Sequence, residues 1–308
     1  MRKTSFKPKE IYSLAREFCA AQRRYRRAGR PKIHDDALII TIASIQNLYS
    51  FSFREALEFC EDRFDRLPAL SNYHYRLERL SKDTIQKFIG FLGDKVAQES
   101  NQSILYCIMD GTGFSFKDSY PMKFYRGTEI RKIKSHIKAV ILAGVFGKKR
   151  FIIGARAGPP YSSEIKLIEP LIEKIPSPSY ALGDKGYDCN RLLEAIVNRN
   201  CLPAIAIKES LKYSIRHPLR KLSKHFAQIK ELYSKRTLIE GLFGNTKQAL
   251  SSHIRVFDPN IATIFALLRL ALFNIAILVG LRKRRILIWI LEQPYVFRQC
   301  IVYRCKIS

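Results

Sequence analysis

Ile104-Leu105-Tyr106-Cys107-Ile108-Met109-Asp110-Gly111 is a run of six apolar residues ending in an acid and a glycine. An apolar run this short, bounded by turn residues, reads as a buried strand. It closes a hundred residues of helical patterning. Upstream, Ile11, Leu14, Ala15, Phe18 and Cys19 share one stripe at helical spacing. Asp35 or Asp36 can cap the helix ALIITIASIQNLY, and Ser52 with Glu55 forms a capping box three residues apart. A last amphipathic helix runs from about Asp83 to Val96. Downstream the pattern changes to strands. HIKAVILAGVF and FIIGARA flank Gly147-Lys148-Lys149-Arg150 and predict a hairpin. SSEIKLIEPLIEKI reads as a helix bent at Pro170, Tyr180-Ala181-Leu182 as a strand, Cys189 to Asn198 as a helix, and Leu202 to Ile207 as a strand. Residues 208–230 are basic without a clear period, and Glu231 to Leu250 reads as one helix. The expectation is an α/β fold, a mixed sheet flanked by helices, behind an all-α N-terminal region. Residues 1–100 form the helical region, 101–281 the α/β domain, and 282–308 a basic and apolar tail of no assignable role.

Charge narrows the function. The 308 residues carry 54 Lys and Arg against 27 Asp and Glu, a formal net charge of +27. Self-repulsion of that size works against a compact state and is usually offset by a polyanion, most often nucleic acid. The positive charge is spread out: 11 Lys and Arg in residues 1–32, 10 in 123–156 and 11 in 208–256. That distribution suits a long duplex footprint. A hydrophobic fraction of 47% excludes a wholly disordered chain. The 7 cysteines are odd in number and hold no C-x-x-C, which implies neither a disulfide framework nor a zinc ribbon. MRKTSFKPKEIYSL has no apolar core of a secretory signal, so a reducing, cytoplasmic setting is expected. Ile261 to Leu281 is long enough to span a bilayer, but Arg269 and Asn274 sit in its middle. A central Arg costs roughly 2.5–3.5 kcal/mol on insertion scales. The segment therefore reads as a core helix, with no membrane partner.

Asp110 and Asp184 each follow an apolar strand and precede glycine-containing turns. Ligands of open α/β sheets gather beyond the carboxyl ends of strands. Two acids there suit one hard cation, although each alone is also an ordinary turn residue. In Glu231–Leu250, Tyr233, Arg236, Glu240 and Lys247 fall within an arc of about 60° at ~100° per residue. Leu232, Ile239, Leu242, Phe243, Ala249 and Leu250 form a neighbouring apolar face. Cations flanking a lone Glu suit a phosphate backbone brought to a metal-bound carboxylate. Asp188 reads as the cap of the following helix, and Glu164, Glu173 and Glu194 as solvent-facing.

These three signatures (Asp110 in Met-Asp-Gly-Thr, Asp184 in Gly-Asp-Lys-Gly-Tyr-Asp, and Tyr233-x2-Arg236-x3-Glu240-x6-Lys247) resemble those of DDE transposases from bacterial insertion sequences. The resemblance covers residues 100–280. It implies a ribonuclease-H-like fold with Asp110, Asp184 and Glu240 as catalytic residues. It also implies Mg²⁺ or Mn²⁺, as two ions, on those acids. The implied chemistry is hydrolysis at element ends, then attack of the freed 3′-OH on target DNA. The implied partners are double-stranded DNA, as ends and target, and a second copy in the synaptic complex, in a bacterial cytoplasm at the nucleoid. Tyr233, Arg236 and Lys247 would then contact the donor strand. Outside the domain, Arg30 and Lys32 around Gly29 and Pro31 resemble a minor-groove arm, or form a basic linker. Asn72 to Arg79 reads equally as a recognition helix using Arg76 and Arg79, or as a core helix with a basic flank. Two other readings stand beside transposition. One is a nuclease or resolvase without strand transfer; the other is an inactive transposase-derived repressor.

Overall fold

The computed structural model describes residues 7–22, 33–116, 122–126, 129–133, 136–147, 149–209 and 216–292, by backbone alone at 122–126, 129–133 and 284–292. The helices α1 (Pro8–Ala21), α2 (Asp36–Tyr49), α3 (Phe53–Cys60), α4 (Leu70–Glu78) and α5 (Lys82–Ser100) come first. Their starts follow local chemistry. Pro8 opens α1, Asp35 accepts from the Leu38 N–H at α2, and Ser52 and Glu55 cap α3 reciprocally. Ser50 and Asn101 close α2 and α5 in the left-handed conformation.

Strands β1 (Tyr106–Phe116), β2 (Met122–Arg126), β3 (Glu129–Ile133), β4 (His136–Phe146) and β5 (Lys149–Gly158) follow. Then come α6 (Glu164–Ile168), β6 (Tyr180–Gly183), α7 (Asn190–Asn198), β7 (Leu202–Ile205), α8 (Pro218–Gln228), α9 (Lys230–Tyr233), α10 (Leu238–Leu250), β8 (His253–Ile254) and α11 (Pro259–Glu292). The main sheet has six strands in the order β5-β4-β1-β6-β7, with β8 paired to β1. β4 runs antiparallel to β1 and β5, while β6 and β7 run parallel to β1. The fold is thus mixed α/β with a mixed sheet flanked by helices. The β4–β5 hairpin turns at Gly147, whose φ of 54° suits a residue without a Cβ.

Four expectations change. β1 does not stop at Asp110: its antiparallel ladder with β4 continues to Ser115, so the acid lies inside a strand. A separate hairpin, β2–β3, stands between β1 and β4. The aperiodic stretch 208–230 contains α8, whose Ser223 hydroxyl both donates to and accepts from the Ile205 backbone. The helix expected over Glu231–Leu250 is broken by a 3-10 turn at Ser234–Thr237. There the Ser234 and Thr237 hydroxyls donate to the Glu231 and Ser234 carbonyls, competing with the helical ladder.

One hydrophobic cluster joins the N-terminal helices to the sheet. α2 is buried continuously from Ala37 to Leu48, and α5 and α11 pack on each other and on β5. Among the described residues α11 holds the one stretch, Pro259–Lys283, long and apolar enough to cross a membrane; 78% of its most apolar window is buried within the fold. Its two buried polar residues, Arg269 and Asn274, are hydrogen-bonded. Arg269 donates to the Ser251 and His253 carbonyls and to Asn47 Oδ1. Asn274 accepts from the Ile152 N–H at 2.8 Å and donates to the Ile152 carbonyl at 2.7 Å, so its amide pairs like a peptide with the edge strand β5.

Candidate active site

The site is built on the β1–β6 pair. These parallel neighbours are registered Tyr106 to Tyr180, Cys107 to Ala181 and Ile108 to Leu182. Asp110 and Asp184 each lie two positions beyond the last pair, hence at equivalent register and on the same face. Apolar burial on both sides of the strands makes the ladder; the acids stand where it ends. Asp110 Oδ1 accepts its neighbour Gly111 N–H at 2.8 Å, and Asp184 Oδ1 accepts the Gly186 N–H at 2.7 Å. Burial pushes the Asp110 carboxyl above its ordinary value. The charges of Asp184 and Glu164 push the same way, against the Gly111 N–H and the Arg236 guanidinium.

The 3-10 turn and α10 bring up the cations. Arg236 Nη2 lies 3.7 Å from Glu240 Oε1, and its guanidinium carbon lies 6.0 Å from the Tyr233 ring centroid. Tyr233 Oη donates to the Gly183 carbonyl at 3.2 Å, fastening the turn to the residue before Asp184. Lys247 Nζ stands 5.9 Å from the centroid of Phe114, four residues beyond Asp110 on β1. Beneath them Leu232, Ile239, Leu242, Phe243 and Leu250 are buried as expected; Ala249 is half-buried. The broken helix still brings Arg236 within electrostatic reach of Asp110 and Lys247 beside Phe114 of β1, while Glu240 is exposed and paired with Arg236. Arg236 is the link: its charge reaches Asp110 while its side chain holds Glu240.

Glu164 is not the solvent-facing side chain expected from sequence. At the first turn of α6 its carboxylate stands over Gly111 of β1, close enough for its charge to act on Asp110. A Cβ built on Gly111 would fall 2.8 Å from Glu164 Oε2 and 2.9 Å from its Cδ. Tyr187 Oη donates to Glu164 Oε2 at 3.3 Å, and Lys138 Nζ lies 3.5 Å from Oε1. The glycine after Asp110 leaves the room that this carboxylate occupies. Asp188 also has a different role. The residue preceding α7 is Cys189, without a side-chain cap, whereas the Asp188 carboxylate, 3% exposed, accepts from Arg220 Nε and Nη2 and from the Lys208 N–H. That buried fork consumes the carboxylate.

Residues 102–275 match the transposase DDE domain. The chain belongs to that family. It is similar to an uncharacterized protein of Aquifex aeolicus (strain VF5), 28% identical over 280 residues, which span 89% of this chain and 87% of that protein. Among solved structures it is similar, at a TM-score of 0.47 and 11% identity, to the piggyBac transposase synaptic complex with hairpin DNA. That match covers 96% of this chain and 82% of that one, a likeness too distant to carry an argument.

Family members of this kind work on divalent metals, and the donor set here fits one in part. Asp110 and Asp184 offer hard oxygen ligands at equivalent register, and Asp110 is half-buried with two like charges acting on it. A divalent cation reverses that repulsion. Glu240, with its side chain 64% exposed, faces Arg236 instead. Among the described residues no three His, Cys, Asp or Glu side chains are grouped to hold an ion. The structure thus brings two of the three acids together and keeps the third within reach of the same arginine.

The outlying basic residues divide. Arg76 donates to Asp36 Oδ1 at 2.6 Å and to the His34 carbonyl at 2.9 Å, so its guanidinium joins α4 to α2. Arg79 is exposed, bonded to the Tyr75 hydroxyl and 4.8 Å above its ring. Arg30 and Lys32 lie outside the described residues.

Proposed function

We propose that this transposase-family chain cuts DNA at insertion-sequence ends in a metal-dependent hydrolysis and then joins the freed 3′-OH to target DNA. The observation that carries the reading is the pair Asp110 and Asp184, at equivalent register on adjacent parallel strands, in a chain of the transposase DDE domain family. Asp110, Asp184 and Glu240 would hold two Mg²⁺ or Mn²⁺ ions. When bound, these ions activate the attacking oxygen and stabilise the leaving one. Arg236 then has two tasks: it parks Glu240 before loading and offers a planar fork to a donor-strand phosphate afterwards. Lys247 supplies a point charge to the same strand. Tyr233 fixes the Asp184 turn through Gly183 and presents its ring beside that strand.

Around this centre, residues 101–281 form a ribonuclease-H-like catalytic domain, residues 1–100 a helical DNA-binding region, and residues 282–308 a tail whose first part, to Glu292, continues α11. Arg79, exposed at the C-terminal end of α4, contacts duplex DNA, with Arg30 and Lys32 in the segment before α2. Two copies pair two ends in the working complex, at the bacterial nucleoid. The net charge of +27 supports this DNA partnership.

The test uses purified full-length protein, Mg²⁺, and a duplex made from the DNA flanking the gene, with a supercoiled plasmid as target. Nicks at the element boundary followed by joined plasmid products support the proposal. Nicks without joining would make the chain a nuclease, and binding without nicks a repressor.

A further inference from the structure

Between β5 and β6 the chain makes a single excursion onto the catalytic face, and its first helical residue is Glu164. Three elements converge on that one carboxylate. β1 gives way to it at Gly111, where an added Cβ would meet Oε2 at 2.8 Å, Cδ at 2.9 Å and Oε1 at 3.1 Å. β4 reaches it through Lys138, 3.5 Å from Oε1, whose ammonium also donates to the Ser162 carbonyl at 3.2 Å. The turn after Asp184 reaches it through the Tyr187 hydroxyl, 3.3 Å from Oε2. Tyr187 is fully buried, and its ring packs on Gly183, where an added Cβ would meet Cδ2 at 3.2 Å. Its hydroxyl therefore has a fixed direction. The β1–β6 ladder ends at Ile108 and Leu182, so no backbone pairing holds Asp110 against Asp184. The Glu164 carboxylate spans that gap, touching the residue after one acid and bonded to the third residue after the other.

We infer that Glu164 is a positioning residue of the acid pair. It braces the Asp110 strand to the Asp184 turn through Tyr187 and Lys138, and it sets the spacing at which the two carboxylates take a divalent ion. The inference deepens the function proposed above and rests on it. A brace of this kind needs an oxygen acceptor at Oε2, not a metal ligand. Glutamine keeps that acceptor; alanine removes it. Tyr187 and Glu164 act as one unit, so losing either removes the same constraint.

The test compares Glu164→Ala, Glu164→Gln, Tyr187→Phe and the Ala/Phe double variant in the full chain. Calorimetric titration with Mn²⁺ alone and single-turnover cleavage of an end-containing duplex are the readouts. The brace predicts that E164A and Y187F each weaken Mn²⁺ binding about 5–10-fold and slow cleavage at least 10-fold. It predicts that the double variant is no worse than E164A and that E164Q stays within about threefold of the native chain. Native Mn²⁺ affinity in E164A, effects that multiply in the double variant, or an E164Q as impaired as E164A would each overturn it. Should E164A fail to fold, the isosteric E164Q and Y187F decide between the same outcomes. An Asp110→Ala control separates the two levels. If it still cleaves, the proposed function fails; if it is inert while E164A is native, only the brace fails.

Discussion

Arg236 and Glu240 form an ion pair across the junction of the 3-10 turn and α10, with Nη2 3.7 Å from Oε1. The same guanidinium reaches Asp110 electrostatically. One arginine therefore pairs with Glu240 and offsets the charge of Asp110.

Arg236→Ala frees Glu240 but leaves developing phosphate charge without its fork. Cleavage is expected to fall about 10²–10³-fold, the usual cost of losing one preorganised charge-stabilising group. The fold should not notice. The pair is open to solvent, 24% exposed at Arg236 and 64% at Glu240, and such pairs contribute about 0–1 kcal/mol. Single-turnover cleavage alongside thermal melting checks both halves.

Asp110 gives a pH prediction with a definite sign. Its carboxyl titrates above the ordinary carboxylate value in the fold, chiefly because it is partly buried. Between that value and its raised folded value the native state binds the extra proton. Stability is therefore lost as pH rises through the folded value. Asp110→Asn, neutral at every pH, should raise the melting temperature of the metal-free protein at neutral pH. The gain should vanish below the ordinary carboxylate range. Adding Mg²⁺ should stabilise the native chain and leave the Asn variant unchanged.

Lys247 stands beside Phe114 near the end of the acid-bearing strand, and the proposed function has it neutralise one phosphate. Lys247→Ala should weaken end binding evenly across sequences. It should also flatten the slope of log affinity against log salt by about one contact, roughly 0.9. Binding titrations at several salt concentrations measure this.

Buried polar groups on α11 should matter to folding rather than catalysis. Asn274→Leu leaves the Ile152 N–H and carbonyl unpaired, and Arg269→Met removes the donor shared by Ser251, His253 and Asn47. Each substitution should cost on the order of 3 kcal/mol, since an orphaned buried partner keeps its desolvation cost. Urea unfolding reads the loss.

What was legible in the sequence had local causes. The caps at Asp35 and Ser52, the β4–β5 hairpin and the strand ending at Gly183 follow from side chains within a few residues of one another. The apolar run before Asp184 does end a strand, at Gly183, whereas the run before Asp110 does not. Long-range facts were not legible. β1 extends past Asp110 because β4, thirty residues on, still pairs with it. Arg76 is committed to Asp36 on another helix, and no local pattern reveals that. Glu164 looked solvent-facing because helical periodicity over a five-residue helix carries almost no directional signal. Hydroxyl competition at Ser234 and Thr237 broke a helix that the apolar spacing alone predicts as continuous.

The central claim is that Asp110 and Asp184 act together as the metal-holding centre of a DNA-cutting enzyme. The most direct measurement is cleavage of an end-containing duplex in Mg²⁺ by the native chain, Asp110→Ala and Asp184→Ala, with end binding measured on the same preparations. Loss of cleavage by at least about 10³-fold in both variants, with binding within a fewfold of native, is the predicted result. Native cleavage by either variant would contradict it.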